Sequence, residues 1–442
     1  MTATDAPTTP AVPAETDVLI VGGGPAGSLL AALLSRRGIR VVLAEKHRSI
    51  EREFRGETVA APSVTSLRAL GFGAAMDAHG FLETLGVTMR MEGRDVMHVD
   101  YGRLGDGTLP IDIPQPALIG AFMQEAGRFD TFTSLPGTAF SDLVTDADGT
   151  VRGAVLKLPD GGRATVRARV VVGADGRFSK VRHVAGLEAT ITPMGRDFQW
   201  FKLRRPQGWG NTAELVVDGD HHLVVLPTFP DTLRIGHNLP KGGLGTLRKA
   251  GFAAFRSEVL AIDPRLESLF DESVTSFADT SFLEIFTAEV PRWSRDGLLL
   301  IGDASHTCTP ILGQGVNLAF QDVVQLTPVL AAALASGNGR EPIPASAFDR
   351  FVATRRKHKD FVTKFQRMQE TNLGKSSARD VRIRRLRFGL LHRLPIKYRL
   401  FSKVIAVQHP IDPVDLELAQ RAAAATWAVP GTTAGVPVGA RA

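Results

Sequence analysis

The chain has 442 residues, 44% of them hydrophobic and 22% charged, which is the composition of a globular protein with two or three structural units. Its single cysteine excludes an internal disulfide and every metal site built from several cysteines, and this predicts a reducing, cytoplasmic environment. The formal net charge of +6 is concentrated between Lys375 and Lys403, where ten basic residues accompany one acidic residue. The rest of the chain sums to −3, so nucleic-acid binding is not indicated.

Both ends of the chain are predicted to be disordered. Residues 1–16 are rich in Pro, Thr and Ala and lack the basic start and apolar run of a signal peptide. Residues 430–442 form the second predicted tail. No run of 18 or more apolar residues occurs, so we expect no segment that spans a membrane.

The ordered part opens with a β-α-β pattern. Residues 17–22 (DVLIVG) predict a buried strand, the following PAGSLLAALLSRR predicts a helix that stops at Gly38, and residues 40–45 (RVVLAE) predict a second buried strand. Between strand and helix, Gly22, Gly24 and Gly27 satisfy G-x-G-x-x-G. Such glycines permit a tight turn, close approach of the backbone to a pyrophosphate, and close packing of helix on strand.

Two further features of this start support dinucleotide binding. Glu45 ends the second strand, 21 residues after Gly24, where its carboxylate can accept a hydrogen bond from a ribose hydroxyl. The helix N-terminus at Pro25 and Ala26 attracts phosphates. The other glycine cluster, residues 241–251, lacks the third glycine and a preceding buried strand, so we interpret it as a loop leading into a helix.

The middle of the chain has a different pattern. Between about 190 and 285, successive short runs of alternating or apolar residues predict strands of an antiparallel sheet. Residues 297–303 (GLLLIGD) return to a buried strand of the parallel type, and a helix is predicted to begin within 306–322. From about 345 onward the pattern is mainly helical. The second sheet is therefore an insertion into a Rossmann-like core.

Two carboxylates distinguish between possible dinucleotides. Residues 168–182 predict a buried strand followed by Gly173-Ala174-Asp175-Gly176, and Asp303 ends the strand of 297–303. In such sheets ligands bind at the carboxyl ends of the strands, where an aspartate can hydrogen-bond a ribityl chain. FAD is longer than NAD at its flavin end and needs such additional segments, so these motifs favour FAD.

The three motifs in this order, GGGPAG…E (22–45), GADGRFSKVR (173–182) and GDASHTCTPILGQGVNLAFQD (302–322), resemble the class A flavoprotein monooxygenases, the para-hydroxybenzoate hydroxylase family. The resemblance extends to about residue 375. It implies an α/β fold, with a Rossmann-like FAD-binding domain, an inserted antiparallel-sheet substrate domain and a C-terminal helical segment. The predicted boundaries are 1–16 and 430–442 for the tails, 17–80, 110–190 and 286–374 for the FAD-binding domain, 81–109 and 191–285 for the substrate domain, and 375–429 for the basic helical segment.

The resemblance also implies roles for individual residues. Asp303 would hold the ribityl chain, and Asp175 would serve both FAD and the passing nicotinamide cofactor. Arg55 would reach the pyrophosphate from beside the active site, and Gln115 would touch the FAD chain. The residues expected to bind FAD are Gly22, Gly24, Pro25, Ala26, Gly27, Glu45, Lys46, Arg55, Gln115, Asp175, Asp303, Gly313, Gln314, Gly315, Val316 and Asn317.

The glycine pair around Gln314 has a specific task in this scheme. Gly313 and Gly315 would let the amides of Val316 and Asn317 approach N1 and C2=O of the isoalloxazine. A helix N-terminus stabilises negative charge there by about 0.3–1 kcal/mol per contact. Cys308 is expected to be a small buried apolar residue without a redox role, and His306 is expected to pack beside the flavin without transferring a proton.

The second sheet would form the floor of an apolar substrate pocket. Trp200, Arg234 and Gly236 are expected to contact the substrate, with Gly236 opening room for a large one, although a glycine in a strand also marks bulges. The carbonyl of Pro310, just before the glycine pair, would face the substrate near the flavin.

The tyrosine relay of the phenol-specific prototype is absent, since Tyr101 and Tyr398 are the only tyrosines and neither lies on a predicted strand of this sheet. His237 could replace it, or the substrate needs no deprotonation. Its side chain points to the opposite face of the strand from Arg234 and Gly236, and a structural histidine is the alternative interpretation.

In enzymes of this family NAD(P)H reduces the flavin, O2 adds at C4a, and the hydroperoxide delivers one oxygen to the substrate. The resemblance thus implies a single-component monooxygenase that hydroxylates or epoxidises a bulky aromatic or polyketide-like small molecule, as a monomer or homodimer. Three alternatives stay open: a reductase of prenyl-type double bonds, a non-catalytic flavoprotein that binds a labile intermediate, and a halogenase. The halogenases carry a W-x-W-x-I-P pattern that is missing here, because the four tryptophans are isolated.

The basic segment 375–403 mixes Arg and Lys with Leu, Ile and Phe. It could contact an anionic membrane or an acidic carrier protein. The favoured interpretation is that its apolar side packs on the core while its charges are solvated.

Overall fold

The structure of the protein is a computed structural model that describes residues 11–50, 58–336, 339–375 and 377–424. Arg55, most of the predicted N-terminal tail and the whole predicted C-terminal tail therefore lie outside the described residues. The strands are β1 (Glu15–Val21), β2 (Val41–Glu45), β3 (Thr58–Val59), β4 (Leu82–Glu83), β5 (Gly86–Met91), β6 (Arg94–Asp100), β7 (Ile111–Asp112), β8 (Phe132–Pro136), β9 (Ala139–Thr145), β10 (Val151–Lys157), β11 (Arg163–Gly173), β12 (Thr190–Pro193), β13 (Arg196–Arg204), β14 (Thr212–Asp218), β15 (His221–Thr228), β16 (Thr232–Pro240), β17 (Thr280–Leu283), β18 (Phe286–Glu289), β19 (Ser294–Arg295), β20 (Leu298–Leu300) and β21 (His306–Thr307).

The helices lie between and after these strands. They are α1 (Pro25–Arg36), α2 (Ala61–Leu67), α3 (Gly73–His79), α4 (Gln115–Ala126), α5 (Lys180–Val184), α6 (Leu244–Ala250), α7 (Phe252–Ile262), α8 (Glu267–Ser273), α9 (Gln314–Ala335), α10 (Asp349–Leu373), α11 (Ala378–Arg393), α12 (Ile396–Ile405) and α13 (Pro413–Ala424). Strand β1 starts at Glu15, two residues ahead of the predicted boundary of the tail.

The first sheet is the predicted Rossmann-like core. Its strands run in the order β19-β20-β11-β1-β2-β8, with the β9–β10 hairpin attached to β11. Strands β20, β11, β1, β2 and β8 are parallel, so their carboxyl ends lie at one edge. Helix α1 is buried along almost its whole length because it packs between the sheet and helices α4 and α9, which explains its run of Leu and Ala.

The second sheet has seven strands in the order β17-β13-β16-β15-β14-β5-β6. The four strands predicted between 198 and 240 are confirmed as β13 to β16, and each neighbouring pair among them is antiparallel in the order β13-β16-β15-β14. The prediction of an antiparallel sheet needs one correction: β14 and β5 are parallel. Strand β5 enters from the first part of the chain, not through a hairpin, and a distant segment can join an edge in either direction.

Helices α6 to α8 cover one face of the second sheet. Their phenylalanines, such as Phe255 and Phe270, form a hydrophobic core with the residues of β13 to β16 that point to this face. Within the cluster at 241–251, residues 241–243 form a turn that leads into α6, as expected. The opposite face of the sheet points away from these helices and carries Trp200, packed with Phe198.

Helix α9 follows the first sheet and is part of its core. On length and composition, the stretch Ile311–Ala335 could cross a membrane, contrary to the expectation from the sequence. However, 61% of its apolar window is buried inside the protein, and its side chains pack on α1 and the sheet. This is the pattern of a core helix.

Candidate functional site

Four predicted site segments meet at the carboxyl edge of the first sheet. The glycine loop follows β1, Glu45 ends β2, Asp175 follows β11 and Asp303 follows β20. These strands are parallel neighbours, so segments that are up to 281 residues apart in the chain lie side by side. The edge where ligands bind in such sheets is thus formed by the motifs identified in the sequence.

The three glycines of the first loop differ in what surrounds them. A Cβ on Gly22, whose φ is +109°, would lie 2.4 Å from the carbonyl oxygen of Ala174, and a Cβ on Gly27 would lie 1.9 Å from that of Gly22. No described atom lies within 4 Å of a Cβ on Gly24. Gly22 and Gly27 therefore permit close packing within the protein, whereas Gly24 borders open space at the start of α1.

The start of α1 is suited to an anion. Its N-cap Gly24 has no side chain, and no side chain of the described residues caps the first turn, which begins with Pro25 and the buried Ala26. The first backbone N–H groups of a helix lack partners within it and carry the positive end of its dipole. A pyrophosphate is the kind of group that these amides can bind.

Glu45 and Lys46 lie beside this loop. Glu45 Oε2 accepts the backbone N–H of Gly23 at 2.7 Å, and Oε1 accepts that of His47 at 2.9 Å. The carboxylate therefore ties β2 to the glycine loop. The side chain of Lys46 is exposed.

The second motif is held mainly by its own hydrogen bonds. Asp175 accepts the hydroxyl of Ser179 and the backbone N–H of Val181, the latter at 3.0 Å, and so stabilises the turn into α5. Arg182 donates to the carbonyl oxygen of Ala304 at 2.9 Å, which joins this motif to the turn that carries Asp303. Burial lowers the pKa of Arg182.

Asp303 lies in the turn after β20 at the carboxyl edge of the sheet. Its half-buried carboxylate has no hydrogen-bond partner among the described residues, and burial raises its pKa. Buried polar groups normally have partners. A carboxylate at the end of β20 without one matches the hydroxyls of a ribityl chain, so the residues present fit FAD.

The turn before α9 brings its first residues close to Asp303. Gly313 adopts a left-handed conformation (φ 60°, ψ 33°), and α9 begins at Gln314 without a side-chain cap among the described residues. A Cβ on Gly315 would lie 3.9 Å from Oδ1 of Asp303 and 3.9 Å from Sγ of Cys308, which are ordinary contacts. The uncapped amides of α9, including that of Val316, thus start beside the unsatisfied carboxylate.

The side chains of Gln314 and Asn317 hold this turn and do not point to a ligand. Gln314 Nε2 donates to the carbonyl oxygen of Leu312 at 2.8 Å. Asn317 Oδ1 accepts the N–H of Ala60 at 2.8 Å, and its Nδ2 donates to the carbonyl oxygen of Gly313 at 2.8 Å. Any contact of Asn317 with a flavin would therefore come from its backbone.

Pro310 lies in a loop that is held by Gln366, a residue that no sequence motif had pointed to. The carbonyl oxygen of Pro310 accepts the N–H of Gly313 at 2.9 Å. Buried Gln366 of α10 donates from Nε2 to the carbonyl oxygens of Thr309 at 3.0 Å and Ile311 at 2.8 Å, on either side of the proline. A polar residue directly after the apolar Phe365 was the only signal in the sequence. Gln115, also predicted, is buried at the start of α4.

His306 belongs to an ion network behind the turn. Its Nε2 lies 2.8 Å from Oδ2 of Asp322, and its ring centroid lies 5.1 Å from that of Trp293. Arg355 Nε donates to Oδ1 of Asp322 at 2.7 Å, and the N–H of Gly302 donates to Oδ2 at 3.0 Å. Burial alone would raise the pKa of Asp322, but His306 and Arg355 lower it to about 2. The network therefore fixes the residue just before Asp303.

The predicted opening at Gly236 is wrong. A Cβ on Gly236 would lie 2.8 Å from the indole of Trp200, the residue directly opposite on β13, so this indole fills the space that the glycine leaves. The guanidinium carbon of Arg234 lies 4.6 Å from the centroid of the Trp200 ring. Gly236 therefore accommodates a tryptophan and does not enlarge a cavity.

The wall around Trp200 extends toward the α9 turn. Directly paired residues on neighbouring strands point to the same face, and one such row runs from Trp200 through Gly236, Val224 and Leu215 to Met89. Leu312, two residues before α9, packs in the hydrophobic cluster that contains Met89 and Leu215. The sheet face with Trp200 and Arg234 thus reaches the turn beside Asp303.

His237 points to the other face. Its ring packs 5.7 Å from that of Phe255 in α7, and its ring nitrogens have no hydrogen-bond partner among the described residues. Burial lowers its pKa to about 4. His237 and Trp200 lie on opposite sides of one sheet, so they cannot line one pocket.

Comparisons with known proteins identify the family of this chain. The family of the FAD binding domain matches residues 15–231 and 249–365. The 6-methylpretetramide 4-monooxygenase of Streptomyces rimosus is 36% identical over 405 residues, which are 90% of this chain and 94% of that protein. Among solved structures, the anhydrotetracycline hydroxylase OxyS of Streptomyces rimosus (TM-score 0.68, 24% identity, 90% of this chain and 77% of that one) and the p-nitrophenol 4-monooxygenase PnpA of Pseudomonas putida (TM-score 0.73, 18% identity, 92% and 98%) share the fold.

The family match covers the first sheet, the second sheet except β16, and α10 as far as residue 365, and it includes every motif at the carboxyl edge. The alternative of a flavoprotein without catalysis is thereby set aside. The chain belongs to the class A FAD-dependent monooxygenases and is a single-component flavoprotein enzyme.

Proposed function

We propose that this monooxygenase hydroxylates or epoxidises a bulky aromatic, polyketide-like small molecule in the cytoplasm, with NADPH or NADH as reductant and O2 as the oxygen source. The observation that carries the proposal is the unsatisfied carboxylate of Asp303 beside the uncapped start of α9, next to the sheet face of Trp200. The substrate class is supported by the relative that is 36% identical, whose name describes a monooxygenase acting on 6-methylpretetramide.

In this proposal the chain's residues bind and orient the cofactor. The amides at the start of α1 hold the pyrophosphate and Asp303 accepts hydrogen bonds from the ribityl hydroxyls. The amides at the start of α9, near Gly315, would hold the pyrimidine edge of the flavin and would stabilise negative charge there. Bound FAD would supply the electron transfer and the activation of O2.

The sheet face supplies the substrate side. Trp200, Val224 and Leu215 form an apolar surface that excludes water from the reacting atoms. Arg234 lies buried against Trp200 on this face, where its N–H groups can orient a polar group of the substrate. The carbonyl oxygen of Pro310 retains a second lone pair for a substrate hydroxyl.

One experiment tests the proposal. The purified protein is expected to be yellow with bound FAD, and NADPH or NADH oxidation should consume O2 and yield an oxygenated product with multi-ring aromatic substrates. The variant Asp303→Leu should lose FAD, whereas Asp130→Leu, at an exposed site, should keep it. Absence of flavin from the wild type would contradict the proposal. Substrate reduction without O2 uptake would instead identify the reductase alternative.

A further inference from the structure

Helix α11 has two apolar sides, and one of them is exposed. Successive residues of a helix are about 100° apart, so residues three, four and seven positions apart share a side. The exposed large side chains Leu386 (65% exposed) and Leu390 (62%) lie on one side, together with the exposed Arg379, Arg382 and Arg393. We define the outer strip as these five residues with the exposed Leu394 and Ile396, which continue it toward α12.

The other side of α11 is the side that packs against the protein. Val381, Phe388 and Leu391 pack against the core formed with β5, β6 and α12. Arg384 is buried there and donates to the carbonyl oxygens of Leu373 and Lys375, at 3.0 Å and 3.2 Å. The favoured interpretation of the sequence, an apolar side on the core with solvated charges, thus explains the inner side but not the exposed leucines.

The arginines of the outer strip have no carboxylate within ion-pairing distance among the described residues. The neighbouring Arg385 lies outside the strip and pairs with Glu92 at 2.8 Å. The charge of Arg385 is therefore balanced within the chain, unlike those of the strip. The C-terminal sequence 425–442 contains no Asp or Glu and could not neutralise the strip. Among the described residues the three arginines are therefore solvated charges that an anion from outside the chain can reach.

We propose that the outer strip binds the surface of a membrane that contains anionic phospholipid. Leucine and arginine share one side of the helix, so a partner must offer apolar material and negative charge at the same depth. The boundary between headgroups and acyl chains does this: leucines enter the acyl region while arginines extend to the phosphates. A folded protein partner would need a matching groove, whereas a fluid bilayer accommodates the convex side of a helix without one.

The test is sedimentation of the full-length, FAD-loaded protein with phospholipid vesicles. Vesicles of phosphatidylcholine with one quarter phosphatidylglycerol should pellet the protein at low salt, whereas vesicles of phosphatidylcholine alone should bind it weakly. The pair Arg382→Gln/Arg393→Gln should lower the partition coefficient by roughly tenfold or more, since each basic residue near an anionic surface contributes about fivefold. The pair Leu386→Ser/Leu390→Ser should also abolish pelleting.

A matched control alters an exposed apolar residue and an exposed arginine elsewhere. Ile191→Ser/Arg248→Gln should bind the vesicles like the wild type, and all variants should retain the FAD content and activity of the wild type on a dissolved substrate. Failure of the wild type to pellet with anionic vesicles would overturn the proposal, as would equal pelleting by the strip variants. If these variants instead change the molecular mass measured by light scattering while vesicles bind nothing, the strip is an interface between copies and the lipid proposal is wrong.

Discussion

The glycines near the cofactor edge fall into two kinds at the scale of single residues. Gly22 and Gly27 are required by the protein itself, because a Cβ on either would overlap a backbone carbonyl. At Gly315 a Cβ would meet only ordinary contacts at 3.9 Å, and its φ is not in the left-handed region. We propose that Gly315, which no protein contact requires, leaves room for a ligand at the uncapped helix start beside Asp303.

This distinction leads to a prediction for Gly315→Val. We expect the free energy of unfolding of the apo-protein to lie within about 0.5 kcal/mol of that of the wild type, as for a substitution that disturbs no protein contact. The affinity for FAD should fall more than about tenfold, which corresponds to 1.4 kcal/mol, because the added methyl groups occupy the space of the flavin edge. The measurements are urea unfolding of the apo-protein and FAD titration by fluorescence.

The control for that experiment is Gly27→Ala. Its Cβ would lie 1.9 Å from the carbonyl oxygen of Gly22, so this variant should lose both stability and FAD binding. Normal FAD affinity and full activity in Gly315→Val would show that the start of α9 does not meet the flavin.

At the scale of elements, one buried carboxylate links two helices to the cofactor edge. Asp322 of α9 pairs with Arg355 of α10 and with His306, and it accepts the N–H of Gly302 just before Asp303. Asp322 and Arg355 are completely buried. Removal of one partner from such a pair leaves the other charge buried without compensation, which is far more costly than loss of an exposed pair.

We therefore predict that Asp322→Asn lowers the free energy of unfolding by about 3–5 kcal/mol at neutral pH. The folded state holds the pKa of Asp322 at about 2, below its ordinary value of 3.8, so the wild type binds fewer protons when folded than when unfolded. The stabilisation is thus present above about pH 4 and is lost as the pH falls toward 2. The free energy of unfolding, measured with urea between these pH values, should depend less on pH in the variant than in the wild type.

Asp271→Asn is the corresponding control, because Asp271 forms an ion pair with Arg256 on the surface of α7 and α8. The urea concentration at the midpoint of unfolding should be nearly the same in this variant as in the wild type. An Asp322→Asn protein with wild-type stability would mean that the network does not hold α9 and α10 together.

The second sheet shows where predictions about an element depend on its neighbours. The alternation within β16 correctly placed Gly236 and His237 on opposite faces. It could not indicate that Trp200 lies directly opposite Gly236, because cross-strand pairing is set by register between segments 36 residues apart. The interpretation of the glycine as open space failed for that reason.

At the scale of the whole molecule, the end of the described chain returns to its beginning. Arg37, just after α1, donates to Asp415 of α13 at 2.6 Å and to Asp412 at 2.8 Å. Burial raises the pKa of Asp415, while the neighbouring Arg37 opposes this rise. Helix α13 thus packs against residues 68–72 and beside the end of α1.

We predict that Asp415→Ala loosens α13. Loss of charge-assisted hydrogen bonds to Arg37 should cost about 1.5–3 kcal/mol of local stability, which corresponds to roughly a tenfold or greater rise in the population with α13 detached. Limited trypsin digestion followed by mass spectrometry should show faster cleavage at Arg421. Glu417→Gln, which removes only the exposed pair with Arg421, should leave the rate nearly unchanged. Equal rates in both variants would contradict this role of Arg37.

The sequence by itself determined the class of fold, the β-α-β start, the cofactor and the enzyme family. The β-α-β start depends on a spacing of about twenty residues, Gly22 to Glu45, where the strand and helix periods dictate the geometry, whereas the cofactor and the family follow from three such short motifs in a fixed order. The tertiary structure alone decided which acidic groups remain available: Asp175 and Glu45 bond their own loops, whereas Asp303 has no partner among the described residues. It also assigned Gln366 to the Pro310 loop and the leucines of α11 to an exposed side. The physical reason is that hydrogen-bond partners and packing neighbours come from segments tens to hundreds of residues away, brought together only by the fold.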